Sequence, residues 1–263
     1  MRILVTGCSR GIGRAAAVEL NARGHDVVAT ARQTEAIADL DVAEHRELDV
    51  DSCASVDALF SCIGPIDAVV NNAGIGVRGP IESVPLDEVQ RMFTTNFFGA
   101  VRVMQSALPP MRERGSGTVV NVTSMAAHFT IPLHGFYAAS KFALQAVTEA
   151  ARIELGHFGV RVLAVAPGFV ETGFTNVEFG VDTPPYGQLE DAVQKSSTAI
   201  DEVNGGSQAP SMVARVIADA IESGDTKLVW PAGSDAEMSI GIREGAGYPA
   251  FEAAMRELMH LDW

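Results

Sequence analysis

The chain has 263 residues, 47% of them apolar, with glycine and proline spread throughout, which suits one globular α/β domain with a sizeable core and would cramp two. Its 33 acidic against 19 basic side chains give a formal net charge of -14, which excludes nucleic acids and anionic membrane surfaces as partners, because phosphate-rich surfaces would be repelled. The three cysteines, Cys8, Cys53 and Cys62, lack a CxxC spacing, so neither a disulfide framework nor a zinc site is indicated.

The chain opens on a strand, Ile3 to Val5, and no run approaches the ~18 apolar residues of a membrane span, so a soluble, cytoplasmic protein is expected. A helix from Ile12 to Arg23 follows, then a strand from Val27 to Thr30, a weaker strand from His45 to Leu48, and a helix from Ser52 to Cys62. Next come a strand from Ala68 to Val70, a helix from Leu86 to Leu108, a strand from Thr118 to Val122, a helix from Phe136 to Leu155 and a strand from Val160 to Ala166. The pattern closes with a helix from Met212 to Ser223, a strand from Lys227 to Trp230 and a helical stretch from Ala250 to Leu261.

Continuous β-branched runs alternating with amphipathic stretches predict strands buried on both faces: an α/β fold, a doubly wound parallel sheet of about seven strands with helices on both sides. Gly24, Gly156 and Gly224 supply left-handed helix ends, and Pro109-Pro110 predict a stop. Residues 168–210 are rich in Gly, Pro, Asn, Ser and Thr and predict a substrate loop or lid, while 231–263 form a C-terminal extension to a single domain spanning 1–263.

Thr6-Gly7-Cys8-Ser9-Arg10-Gly11-Ile12-Gly13 follows the first strand and opens the first helix, the context of a dinucleotide-binding turn. Glycines there permit a tight turn and close approach of backbone to a pyrophosphate, while the helix N-terminal amides attract its charge. An acid at the end of the second strand would accept hydrogen bonds from an adenosine ribose, but Thr30-Ala31-Arg32 stands here. Arg32 and Arg10 instead offer charge-assisted hydrogen bonds to a ribose 2'-phosphate, so NADP(H) is expected in preference to NAD(H).

Tyr137 and Lys141 stand four residues apart, on one face of a predicted helix. A phenol titrates near pH ~10, and a fixed cation beside it would favour phenolate and bring it toward useful acid/base chemistry. With TGCSRGIG at 6–13, NNAG at 71–74, Asn96, Ser124, YAASK at 137–141 and PGFVET at 167–172, in this order and spacing, the chain resembles the short-chain dehydrogenase/reductase family. The likeness covers residues 1–178 and leans toward the subgroup with 17β-hydroxysteroid and retinol dehydrogenases.

The resemblance implies a single-domain Rossmann fold and hydride transfer between nicotinamide and an alcohol or carbonyl. Tyr137 would be the general acid/base, Ser124 would hold the substrate oxygen, Lys141 would bind the nicotinamide ribose and lower the tyrosine pKa, and Asn96 would anchor a proton-relay water. Gly7, Ser9, Arg10, Gly11, Ile12, Gly13 and Arg32 would hold the phosphates. Asp49 and Val50 would contact adenine; Asn72, Ala73 and Gly74 would line the adenosine side; Pro167, Gly168, Val170 and Thr172 would hold the nicotinamide end. It further implies a homodimer or homotetramer, joined through the helices at 86–108 and 136–155.

Met125, Phe129, Leu133, Phe136, Phe169, Phe174 and Phe179 are candidate walls for a hydrophobic substrate, with His128 and His134 as polar contacts. Two other readings stand beside this one. A nucleotide-binding sensor or scaffold without catalysis should lack a member of the tetrad, whereas all four are present. A sugar-nucleotide epimerase or dehydratase should be longer and carry GxxGxxG, whereas the loop glycines here are Gly7, Gly11 and Gly13.

Overall fold

In the computed structural model, which describes residues 1–172, 176–181, 184–203, 208–259 and 261, the apolar runs become strands that bury both faces. β1 (Arg2–Val5), β2 (Asp26–Ala31), β3 (Glu44–Glu47), β4 (Ala68–Asn71), β6 (Gly117–Val122), β7 (Val160–Pro167) and β9 (Val229–Ala232) form a seven-stranded sheet. Their order is β3-β2-β1-β4-β6-β7-β9, and every pairing is parallel. β5 (Gly76–Arg78) and β8 (Asn176–Glu178) pair separately.

Strand side chains alternate between two layers. Ile3, Val5, Val27, Val70 and Val165 pack with α1 (Gly11–Ala22) and α7 (Pro210–Glu222) on one side. Leu4, Val28, Val69, Val119 and Val162 pack on the other with α2 (Cys53–Cys62), α4 (Ala100–Arg114) and Ala151 of α5 (Gly135–Gly156). The strand order reverses between β1 and β4, so the crevice beyond their C-terminal ends is where such a sheet receives a ligand.

The predicted helix at 86–108 is longer and less regular than its pattern suggests. It runs as α3 (Leu86–Phe93), a π-helical segment (Thr94–Gly99) and α4. The widened turn follows two threonines whose hydroxyls donate to carbonyls four residues back, Thr94 to Gln90 at 2.8 Å and Thr95 to Arg91 at 3.4 Å. Pro109-Pro110 do not stop it: both are exposed, their side of the helix leaves the carbonyls that lose partners near water, and buried Met111 holds the last turn. Gly115, with φ +72°, ends it instead.

Gly156 likewise belongs to α5, and the left-handed turn falls at Gly159, φ +74°, whereas Gly24 and Gly224 do take positive φ. Residues 168–210 are not a loop throughout, since they contain β8 and a helix, α6 (Gly187–Val203). The extension carries α8 (Ser234–Leu258), which begins well before the predicted stretch at 250 and breaks at Gly247. Leu133, Val181, Val193 and Met259 form a small core shared by α6, α8 and the segment before α5. Among the described residues no helix is long and apolar enough to cross a membrane.

Candidate active site

The glycine loop is built so that only glycine fits. Gly7 and Gly11 have φ of +74° and +59°, and a Cβ on Gly11 would lie 2.9 Å from Cβ of Thr172. A Cβ on Gly13 would run into the Asn72 amide and the Gly7 carbonyl, so Gly13 is a packing residue set back from the cavity. Asn72 staples the end of β4 to this loop: its Nδ2 donates to the Thr6 carbonyl at 2.9 Å, while the backbone N–H groups of Asn72 and Ala73 both donate to Thr6 Oγ1 at 3.0 Å. Cys8 is buried in the same loop, and burial pushes its thiol up to about 12, which leaves it unreactive.

One cavity of about 520 Å³ lies over the loop and the strand ends. Gly7, Ser9, Arg10, Gly11 and Ile12 form its floor, with Arg32, Asp49 and Val50 at one end. Asn72, Ala73 and Gly74 line its middle, and Pro167, Gly168, Val170 and Thr172 the other end. Ser124, Tyr137 and Lys141 face the same space. The sequence-predicted residues are thus brought together, apart from Gly13 and Asn96.

Positively curved glycine backbone at a helix start and two exposed arginines on the same wall fit a dinucleotide phosphate group. Arg14, next along α1, is tied up by Asp39 and donates into the protein instead. Asp49 accepts the Asp51 N–H at 3.1 Å. Sequence reasoning missed Asp51, Arg91 and Thr95 on this wall; the Thr95 hydroxyl donates to Asp51 Oδ2 at 3.0 Å, and Asp51 Oδ1 is buried with no partner. The Thr95 and Asp51 side chains meet because the π-helical segment packs beside the stretch after β3, which no local pattern announces.

At the other end Ser124 Oγ accepts the Ala126 N–H at 3.1 Å and shares a hydrogen bond with the Tyr137 hydroxyl. Lys141, 5% exposed, stands with Nζ 5.9 Å from the Tyr137 ring centre and donates to the Val122 carbonyl at 3.0 Å. Burial is the leading influence on both groups. It pushes the phenol up to about 12, against a smaller downward pull from Ser124, and drives the ammonium down to about 8. The phenol's shift runs upward, opposite to the pull expected of Lys141, with burial as its leading cause.

Asn96 is 1% exposed, lies in the π-helical segment and is set back from the cavity wall. Its Oδ1 accepts the Ile75 N–H at 2.8 Å, and its Nδ2 donates to the Ile75 carbonyl at 3.0 Å and to Ser140 Oγ at 3.1 Å. A Cβ on Gly74 would come 3.3 Å from Asn96 Oδ1 and 3.8 Å from Lys141 Nζ, so Gly74 is the gap between them.

Of the expected substrate walls, Met125, Phe129, Phe169 and His134 line the cavity, joined by Ile131. Leu133 packs instead with Val181 and Val193, and Phe136 and Phe179 pack with Val77, Val84 and Met92. Phe174 lies outside the described residues. His128 is set back too, with Nδ1 4.0 Å from Glu244 of α8. Burial lowers the pKa of His134, and its Nδ1–H donates to the Pro132 carbonyl at 3.2 Å, which leaves Nε2 as an acceptor.

Residues 1–179 match the family model described as short chain dehydrogenase. The chain is 37% identical over 180 residues to the 3-ketodihydrosphingosine reductase of Bacteroides thetaiotaomicron, covering 66% of this chain and 65% of that protein, just under two thirds of its length. It is 36% identical over 247 residues to retinol dehydrogenase 8 of Bos taurus, 84% of this chain and 78% of that one. The crystal structure of a short chain dehydrogenase from Burkholderia cenocepacia in complex with NADP is 26% identical and superposes with a TM-score of 0.78 over 97% of this chain and 96% of that chain.

Proposed function

Since this chain belongs to the short-chain dehydrogenase family of oxidoreductases, we propose that it uses NADP(H) to interconvert a hydrophobic ketone or aldehyde and the matching alcohol, with Tyr137 as general acid/base. The observation that carries this reading is the Tyr137–Ser124 hydrogen bond, in one cavity with Lys141 and the glycine loop. When bound, the nicotinamide supplies or accepts the hydride. The uncommitted side of Ser124 positions the substrate oxygen beside the phenol. Tyr137, whose burial favours the protonated phenol, gives its proton to the developing alkoxide as the carbonyl is reduced. Lys141, beside Gly74, would hold the nicotinamide ribose, and Asn96 fixes the backbone next to it through Ile75.

Arg10 and Arg32 favour a 2'-phosphate, and the Burkholderia cenocepacia structure was solved with NADP. Apolar walls at Met125, Phe129, Ile131 and Phe169 favour an extended apolar substrate, in keeping with the names of the reductase and retinol dehydrogenase relatives. Residues 168–210 act as the lid, fastened by Arg78, which is 8% exposed and pairs with Glu178 at 2.9 Å and with Glu190 of α6. Exposed Phe98, Phe142 and Ile153 on the long helices support a homodimer or homotetramer, which a solution mass measures.

Tyr137→Phe tests the reading. Turnover of carbonyl substrates with NADPH should fall by about 10²–10⁴ while NADPH binding stays within about twofold. Comparable turnover in variant and parent would remove Tyr137 from its role.

A further inference from the structure

Asp235 is a carboxylate that the proposed chemistry does not use, and it is 1% exposed. It stands in the first turn of α8, in the C-terminal segment to which the site reading gives no task. Both its oxygens are engaged. Oδ2 accepts the backbone N–H of Phe169 at 2.7 Å, and Oδ1 accepts Nε2 of Gln208 at 2.8 Å. Both donors are neutral amides, so the cost of burying this carboxyl group is offset by hydrogen bonds and by the start of a helix.

Gln208 lies just before α7 and meets the loop that follows β7. Its own carbonyl accepts the Glu171 N–H at 2.9 Å, it bridges Val170, and its Oε1 is buried without a partner. The loop from Pro167 to Glu171 is thereby held from two directions, by the carboxylate at Phe169 and by the glutamine backbone at Val170 and Glu171. The joint has no slack. A Cβ on Gly168 would run into the Asp235 carboxyl, and one on Gly233 would meet the Gln208 amide and stand 2.6 Å from Asp235 Oδ1. Beneath it β7 and β9 are in register at Pro167 and Ala232, with the Gly168 N–H donating to the Ala232 carbonyl at 3.1 Å.

We propose that Asp235 is a positioning residue for the cofactor: through the Phe169 amide and Gln208 it fixes the loop at 167–172, which makes the C-terminal segment a working part of the nicotinamide end of the cavity. The proposal rests on the reading of that loop as the nicotinamide end. It predicts a defect concentrated at the nicotinamide half of the cofactor, because Asp235 holds the loop at Phe169 and Gln208, while the contact of that loop with the glycine loop lies farther along, at Thr172 beside Gly11.

The full chain is titrated with NADPH and with 2',5'-ADP, a probe that carries the adenosine and the 2'-phosphate but no nicotinamide. Asp235→Ala should raise the Kd for NADPH about tenfold or more, as expected when a buried amide loses its acceptor, and leave that for 2',5'-ADP within about twofold. Asp235→Asn should restore NADPH binding to within about threefold of the parent, because the Asn oxygen still accepts from Phe169 and Gln208 can turn its amide so that Oε1 accepts from the new Nδ2.

If the alanine variant fails to fold, Gln208→Leu, which frees Oδ1 without touching the loop backbone, should show the same selective weakening at about threefold or more. Unchanged NADPH affinity in the folded variant, or equal weakening of both ligands, overturns the proposal and leaves Asp235 a general structural group. A parent protein that binds neither ligand overturns the cofactor reading, and this inference with it.

Discussion

Replacing Lys141 by methionine should make the protein more stable at neutral pH while abolishing its proposed activity. Burial takes the lysine from its ordinary 10.5 down to about 8, and at ~1.36 kcal/mol per pH unit of displacement, keeping the ammonium in the fold at pH 7 costs about 3 kcal/mol. The methionine variant gives part of this back, on the order of 1.5 kcal/mol, because the Val122 carbonyl loses the donor that Lys141 supplies at 3.0 Å. Methionine keeps the apolar stem in place, so a net gain of about 1–2 kcal/mol is expected from the difference. The pH dependence carries the sign. Because the folded pKa is depressed, the lysine's deficit is complete below about 8, shrinks as the folded state sheds its proton first, and is gone above 10.5. Urea unfolding of parent and variant, without cofactor and at equal protein concentration, should show the variant's advantage falling by about 2 kcal/mol between pH 7 and pH 9.5. A variant less stable than the parent at pH 7, or an advantage flat across that range, would refute the claim that desolvation governs this ammonium.

Arg32→Ala should weaken NADPH about 10–100-fold, the loss of a charge-assisted pair, with NADH affinity nearly unchanged; equal losses in paired titrations would remove the 2'-phosphate contact. Gly13→Ala places a methyl against the Asn72 amide and the Gly7 carbonyl, so thermal denaturation should show a loss of about 1–3 kcal/mol, and a neutral result would mean that the turn yields more easily than its packing indicates.

The fold was legible wherever burial on both faces forced a continuous apolar run, as in Val119 and Val120 of β6 or Val162 to Val165 of β7. β5 and β8 were not, since three residues hold no periodicity and each is a strand only because the other lies beside it. α6 hid in a segment rich in Gly, Pro, Asn, Ser and Thr, and between 187 and 196, where burial is described, only Val193 and Ser196 are buried, too few to set a pattern. Pro109-Pro110 misled for a different reason: the rule that proline ends a helix assumes that the carbonyls it orphans have nowhere to turn, and on an exposed face they have water. For the site, chain order and spacing gave the members of the constellation, while Arg91, Thr95 and Asp235 come to it from distant parts of the chain and leave no local trace.

What spacing could not supply was the direction of the charges. Four residues between a phenol and an ammonium place both on one face, and in water that proximity would favour phenolate. Here the same burial that brings them together desolvates both, raising Tyr137 to about 12 and lowering Lys141 to about 8, so each is pressed toward its neutral form. A protonated phenol hydrogen-bonded to Ser124 is already the proton donor that a carbonyl oxygen needs as it gains negative charge. Alcohol oxidation needs the phenol deprotonated, and the nearby cation that would favour that state is Lys141, whose ammonium donates to the Val122 carbonyl. Under the proposed acid/base role of Tyr137, the oxidative direction should depend more steeply on pH than the reductive one, and equal pH profiles for the two initial rates would count against that role.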